Sequence, residues 1–177
     1  MKKIKYVFLF LTFNLASQDT TSNNFIVDSN TSYISYQGKH ILHDWVGINN
    51  NVKGILVIED AKASKIAISA SVKDFDSGNS SRDSHALELI ESLIYPKITF
   101  FSDELIQLDE NINILGVINF HGIEKQIKVT GRINREKPIS LSGKFVLSPS
   151  EFKVKLPSFM LSKMEDNIEI KFQLNFN

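Results

Sequence analysis

The chain contains no cysteine. That excludes disulfides, thiolate metal centres, a cysteine nucleophile and the lipid-bearing cysteine of a bacterial lipoprotein. An excess of one charge is also missing: Lys plus Arg and Asp plus Glu number 20 each. With no basic run, nucleic acid finds no electrostatic footprint. Proline and glycine are sparse, at 4 and 8 in 177 residues, and no Pro/Gly/Ser stretch is long enough to separate two domains. No Gly-rich phosphate loop, dinucleotide fingerprint, His-Glu-x-x-His helix or Gly-x-Ser-x-Gly elbow occurs. Tryptophan appears once, at Trp45.

Present instead is an ordinary globular composition, 42% hydrophobic and 23% charged, which fits one domain with a substantial core. Thirteen phenylalanines predict a core or cavity rich in Phe. The first residues, "MKKIKYVFLFLTFNLASQ", place Lys2, Lys3 and Lys5 before an apolar run from Tyr6 to Leu15. The run is too short to cross a bilayer comfortably and reads as a secretory signal peptide over residues 1–17, with cleavage after Ala16 or Ser17. Residues 18–24 read as a polar tail and 25–177 as the folded domain. The location expected is periplasmic or secreted, with no membrane span after cleavage.

Apolar residues recur with period two along most of this domain, as in Ile66, Ile68, Ala70 and Val72, or Ile168, Ile170, Phe172, Leu174 and Phe176. Polar residues between them give each strand one wet face. "HGIE" between "NINILGVINF" and "KQIKVTGRIN" reads as a hairpin turn carrying His121 and Gly122. One segment departs: Ala86, Leu89, Ile90 and Leu93 fall at helical spacing. They predict a helix over 84–94, capped by Asp83 or Ser84 and stopped at Tyr95-Pro96. The fold class expected is all-β with one short helix, a lipocalin-like antiparallel β-barrel of about eight strands, because closure leaves no exposed edges.

The residues able to do chemistry are few. His40 and His43, with His85, are the alternative metal set, since imidazoles suit zinc, nickel or copper. On a continuous strand residues 40 and 43 point to opposite faces, so they share an ion only if the chain turns between them. Asp83 and His85 with a serine lack the geometry of a hydrolase, and Asp74 and Asp76 read as a strand end and turn.

The segments "SYISYQGKHILHDWVG", "DFDSGNSSRDSHALELIESLIYPKITFFS" and "GVINFHGIEKQIKV" together resemble the YceI-like family, exported bacterial proteins with a lipocalin-like barrel that bind polyisoprenoids or other amphiphilic lipids. The family's Arg-Asp-x-His matches Arg82, Asp83 and His85. Its Tyr-Pro-x-x-x-Phe matches Tyr95, Pro96 and Phe100. The resemblance implies a non-catalytic carrier with no cofactor, holding an isoprenoid quinone or fatty-acid derivative. Phe75, Phe100, Phe120 and Leu89 are expected to line the interior, with His40, Arg82 and His85 reaching the headgroup and Trp45 covering the entrance. A homodimer through an uncovered strand or the "LIYPK" corner is a further expectation. The leader gives a direct test: the intact mass of protein recovered from the exported fraction should lack residues 1–16 or 1–17.

Overall fold

The computed structural model describes residues 21–41, 43–159 and 162–177. The signal peptide expected over 1–17 lies outside them. In chain order the strands are β1 (Ser22–Ile26), β2 (Tyr33–His40), β3 (His43–Asn49), β4 (Val52–Glu59) and β5 (Lys62–Ser71). A 3₁₀ turn at Val72–Asp74 leads to α1 (Ser80–Leu89). Then come β6 (Lys97–Leu108), β7 (Asn111–Phe120), β8 (Ile123–Asn134) and β9 (Ile139–Leu147). A second 3₁₀ turn at Pro149–Phe152, the short pair β10 (Ser158–Phe159) and β11 (Ser162–Lys163), and β12 (Ile168–Phe176) complete the chain.

Ten strands form one sheet in the order β1-β4-β5-β6-β7-β8-β9-β12-β2-β3, and each described ladder is antiparallel. The sheet curls back on itself. Val27, just beyond β1, bridges Phe176 of β12 while its N–H donates to the Gly54 carbonyl of β4 at 3.0 Å. At the other free edge Ile48 of β3 exchanges two 2.9 Å backbone bonds with Asp76, and the Asn49 side chain donates to the Ser71 carbonyl at 2.9 Å. Edges that would offer unpaired backbone groups are thereby tied to the opposite side of the sheet.

The strand count differs from the expected eight at the N-terminal end of the domain. Ser22, Asn23 and Asn24, read as part of a polar tail, pair with Glu59, Ile58 and Val57. The run from Tyr33 to Asn49 doubles back at Ile41 into two strands. The helix is also earlier than expected, Ser80–Leu89 rather than 84–94. Asn79 is its N-cap, its side chain accepting from the Arg82 N–H at 3.0 Å. Asp83, expected to cap, turns back to take the Ser77 N–H at 3.1 Å. The helix ends before Tyr95-Pro96 because Glu91 adopts a left-handed φ of 49°. Ser92 N–H then bonds the Leu87 carbonyl and Glu91 N–H the Glu88 carbonyl, both at 3.0 Å, which closes the last turn as a Schellman motif.

Alternation decides what is inside. On β7, Ile112, Ile114, Gly116, Ile118 and Phe120 are buried while Asn111, Asn113 and Val117 are exposed. Val52, Leu56, Ile112, Ile133, Leu141 and Phe176, each at most 2% exposed, fill one end of the curled sheet. Gly116 shows how tightly the strands approach: a Cβ there would fall 2.4 Å from the Phe100 ring and 2.6 Å from the Phe101 carbonyl oxygen. Urea denaturation should therefore find Leu56→Ala destabilised by about 2–5 kcal/mol through an unfilled cavity. Gly116→Ala should lose about 1–3 kcal/mol through overpacking.

Candidate functional site

The packed end does not extend through the whole barrel. Above Ile66, Ile114, Val129, Leu141 and Leu174 the interior opens into a cavity of about 700 Å³, within the range of small-molecule sites. Its deep wall is apolar, with Phe100, Phe145 and Phe172 among its rings. These are inward residues of β6, β9 and β12, placed there by the period of two. The polar groups that touch it come from the end of β2, the start of β3, Asn79 to His85 around α1, Thr99, and the segment after Val154.

Every residue the sequence singled out for a ligand lines this space: His40, Trp45, Phe75, Arg82, His85, Leu89, Phe100 and Phe120. Trp45 stands opposite Gly38 in the β2–β3 register. Its ring lies where a Gly38 Cβ would fall, 2.4 Å from the indole carbons, so glycine is what lets the indole lie flat against β2. The Arg82 guanidinium sits 5.3 Å from the centroid of that ring. Ser77 holds it there, accepting from Nε at its hydroxyl (2.9 Å) and from Nη2 at its carbonyl (2.8 Å), while the same hydroxyl donates to Asp83. Arg82 is thus fixed by the loop before its own helix rather than by a carboxylate. His85 is more peripheral, its side chain 58% exposed and Nδ1 3.8 Å from Glu88 Oε2.

The strand-parity argument against the histidine pair does not apply, because β2 and β3 form a hairpin and His40 pairs directly with His43. Both rings reach the mouth, with centroids 6.3 Å apart, and the His43 ring stands 5.6 Å from Trp45. His85 joins them only as a lining residue of the same cavity. Among the described residues no three of His, Asp and Glu come together as a group that could hold a metal ion.

Sequence reading missed Tyr36, although it lies two residues before Gly38 on the same face and period two would have found it. It lines the cavity, packs 5.8 Å from Phe75, and its hydroxyl pairs with the Trp45 indole. Also missed was the stretch from Val154 to Ser158, which follows no strand period yet forms part of the wall. His121, read as a turn residue, ties three segments bordering the mouth. Its Nδ1–H donates to the Phe152 carbonyl at 2.8 Å, Nε2 lies 2.8 Å from Glu91 Oε2, and Tyr95 meets the ring edge-on at 4.6 Å.

Burial raises the Tyr36 pKa above its ordinary 10.0; Trp45 and Arg82 pull it down, and the Asp83 charge pushes it up. The neutral phenol is therefore favoured in the fold, and the unfolded chain ionises first as pH rises. The stability Tyr36 contributes is complete below pH 10.0 and is lost as pH climbs through the raised value. Denaturation midpoints followed from about pH 9 to about pH 11 should fall more steeply for the wild type than for Tyr36→Phe.

Comparison with known proteins agrees with this architecture. The model of the YceI-like domain matches residues 25–176. Protein YceI of Salmonella agona is 20% identical over 169 residues, covering 92% of this chain and 88% of that protein. Among solved structures, Burkholderia cenocepacia BcnA superposes with a TM-score of 0.76 at 20% identity, covering 84% of this chain and 98% of the other. A polyisoprenoid binding domain from Saccharophagus degradans, implicated in plant cell wall breakdown, gives 0.71 at 12% identity, covering 86% and 97%. With the family's domain spanning the curled sheet from β1 to β12, the chain belongs to the YceI-like family.

Proposed function

We propose that this protein is an exported, non-catalytic carrier that holds one amphiphilic lipid, an isoprenoid quinone or a fatty-acid derivative, inside its barrel. The observation that carries the reading is the division of the cavity into an apolar depth and a polar mouth. A long tail needs dryness and shape, and gains about 0.8 kcal/mol for each methylene it buries. About ten methylenes approach the ~8 kcal/mol of a micromolar complex before ordering costs. A headgroup bearing a carbonyl, amide or phosphate then lies level with Arg82, His40 and His85, beside Trp45. The polyisoprenoid-binding domain whose fold this chain shares supports the same ligand class, and the leader supports release into the periplasm or outside the cell.

Two of the aspartates weighed for hydrolysis have other partners. Asp83 is bonded to Ser77, and Asp74 accepts from the Asn51 side chain at 2.8 Å. Binding without turnover is the reading that leaves each of these residues in its observed role.

Delipidated protein titrated with a long-chain isoprenoid quinone should show saturable quenching of Trp45 with about one ligand per chain. Ala70, 4% exposed and lining the cavity, offers a way to block it. Ala70→Phe should cut affinity at least tenfold, whereas Leu56→Ala, outside the cavity wall, should bind like the wild type. A flat titration across quinones, fatty acids and fatty amides would sink the proposal.

A further inference from the structure

His121 stands between two acceptors. Its side chain is 9% exposed, with Nδ1 2.8 Å from the Phe152 carbonyl oxygen and Nε2 2.8 Å from Glu91 Oε2. A carbonyl oxygen and an ionised carboxylate carry no proton, while a neutral imidazole carries a single N–H. Whichever tautomer that imidazole takes, one of the two contacts sets a ring lone pair against an oxygen. Both become hydrogen bonds only when the His121–Glu91 pair holds a second proton, and the bond to Glu91 is then charge-assisted.

This bond reaches from the end of α1 to the β7–β8 turn. The helix lines the cavity through Ala86, Leu87 and Leu89, yet none of its ten residues is buried. Its start is held by the bonds of Arg82 and Asp83 to Ser77. Past its end, Glu91 sits in the left-handed turn and extends its carboxylate to His121. The receiving side is braced, by the Phe152 carbonyl and by the Tyr95 ring packed on Gly122, where a Cβ would fall 2.5 Å from it. Elements that bury little open at low cost, and lids over binding sites are drawn from them. The other charged groups on the elements around His121 are Lys125 and Glu151, paired at 2.9 Å, Glu124, which accepts from Asn119, and Lys153. Glu88 of α1 lies 3.8 Å from His85 on its own helix.

We infer that His121 and Glu91 form a proton-operated latch on α1, closed while the pair holds its second proton and released when that proton leaves. The inference deepens the carrier reading and rests on it for its purpose. Below the interval in which histidine ordinarily titrates, about pH 5 to 8, the latch is shut and the lipid is retained. As pH rises through that interval the Nε2 lone pair faces the Glu91 carboxylate, the contact turns repulsive, and the helix is free to lift at the end beside Ile90. Lipid exchange thereby follows the acidity around the protein.

Protein loaded with an isoprenoid quinone, a ligand uncharged throughout, should release it into detergent micelles about tenfold faster at about pH 8 than at about pH 5, the factor of one charge-assisted hydrogen bond. Recovery of Trp45 fluorescence reports the rate. Glu91→Gln, whose amide donates to the unprotonated ring nitrogen, should release slowly at both values. Glu91→Ala, altered at a side chain 53% exposed, should release fast at both. A pH-dependent rise that survives in Glu91→Gln belongs to His40, His43 or His85 and overturns the latch, as does a flat wild type. Hydrogen exchange on the lipid-free protein reads the same device. Protection of the Ser92, Ile94 and Tyr95 N–H groups, corrected for the intrinsic effect of pH, should fall about tenfold with rising pH in the wild type and hold in Glu91→Gln. If neither protein takes up quinone, the carrier reading fails and the exchange result alone decides the latch.

Discussion

Closure of the sheet without complete filling is the constraint on which the rest of the structure depends. A curled antiparallel sheet satisfies its backbone groups strand by strand, but its ends have to meet. Here they are tied at two places, around Val27 and Phe176 and around Ile48 and Asp76. The first lies where the core is solid, beside Phe176 and Gly54. The second lies near the mouth, where the β2–β3 hairpin stands against the segment leading into α1. Between them the inward faces of β5 to β9 and β12 are brought opposite one another, and the residues at each level decide whether that level is packed or open.

The open level owes its shape to pairs in which an aromatic ring occupies the space a glycine leaves. Phe100 lies over Gly116, Trp45 over Gly38, and Tyr36 over Gly47. Each pair spreads a ring flat along the wall instead of letting it project across the lumen. Polar groups follow the opposite logic. Arg82 is desolvated only in part and is held by Ser77, so it reaches the mouth without an unpaired charge being carried into the apolar depth, where its cost would be large.

Much of the cavity wall was legible from the chain because a strand's inward face follows from parity alone. Phe75, Phe100, Phe120 and Leu89 were named from the pattern and the resemblance, and all four line the space. The errors cluster where chain direction changes. The histidines at 40 and 43 are on opposite faces of any continuous strand, yet the pairing of β2 with β3 sets them side by side. The helix starts earlier because Asn79 takes the cap, and Asp83 instead accepts from Ser77, six residues back in the loop before the helix. The segment from Val154 to Ser158 carries no period at all, so only its place beside the mouth identifies it as wall.

The sequence by itself determined the absence of disulfide cross-links, the antiparallel all-β class, the identity of the inward faces and the kinship to the YceI-like family. These are properties of composition and local periodicity, which survive in one dimension. The tertiary structure alone decided that the barrel has a packed end and an open one, that ten strands share its sheet, and that Arg82, Trp45, Tyr36 and the two histidines converge on one rim. Those outcomes depend on register and on which strands meet across the seam, and both are set by contacts between residues far apart in the chain.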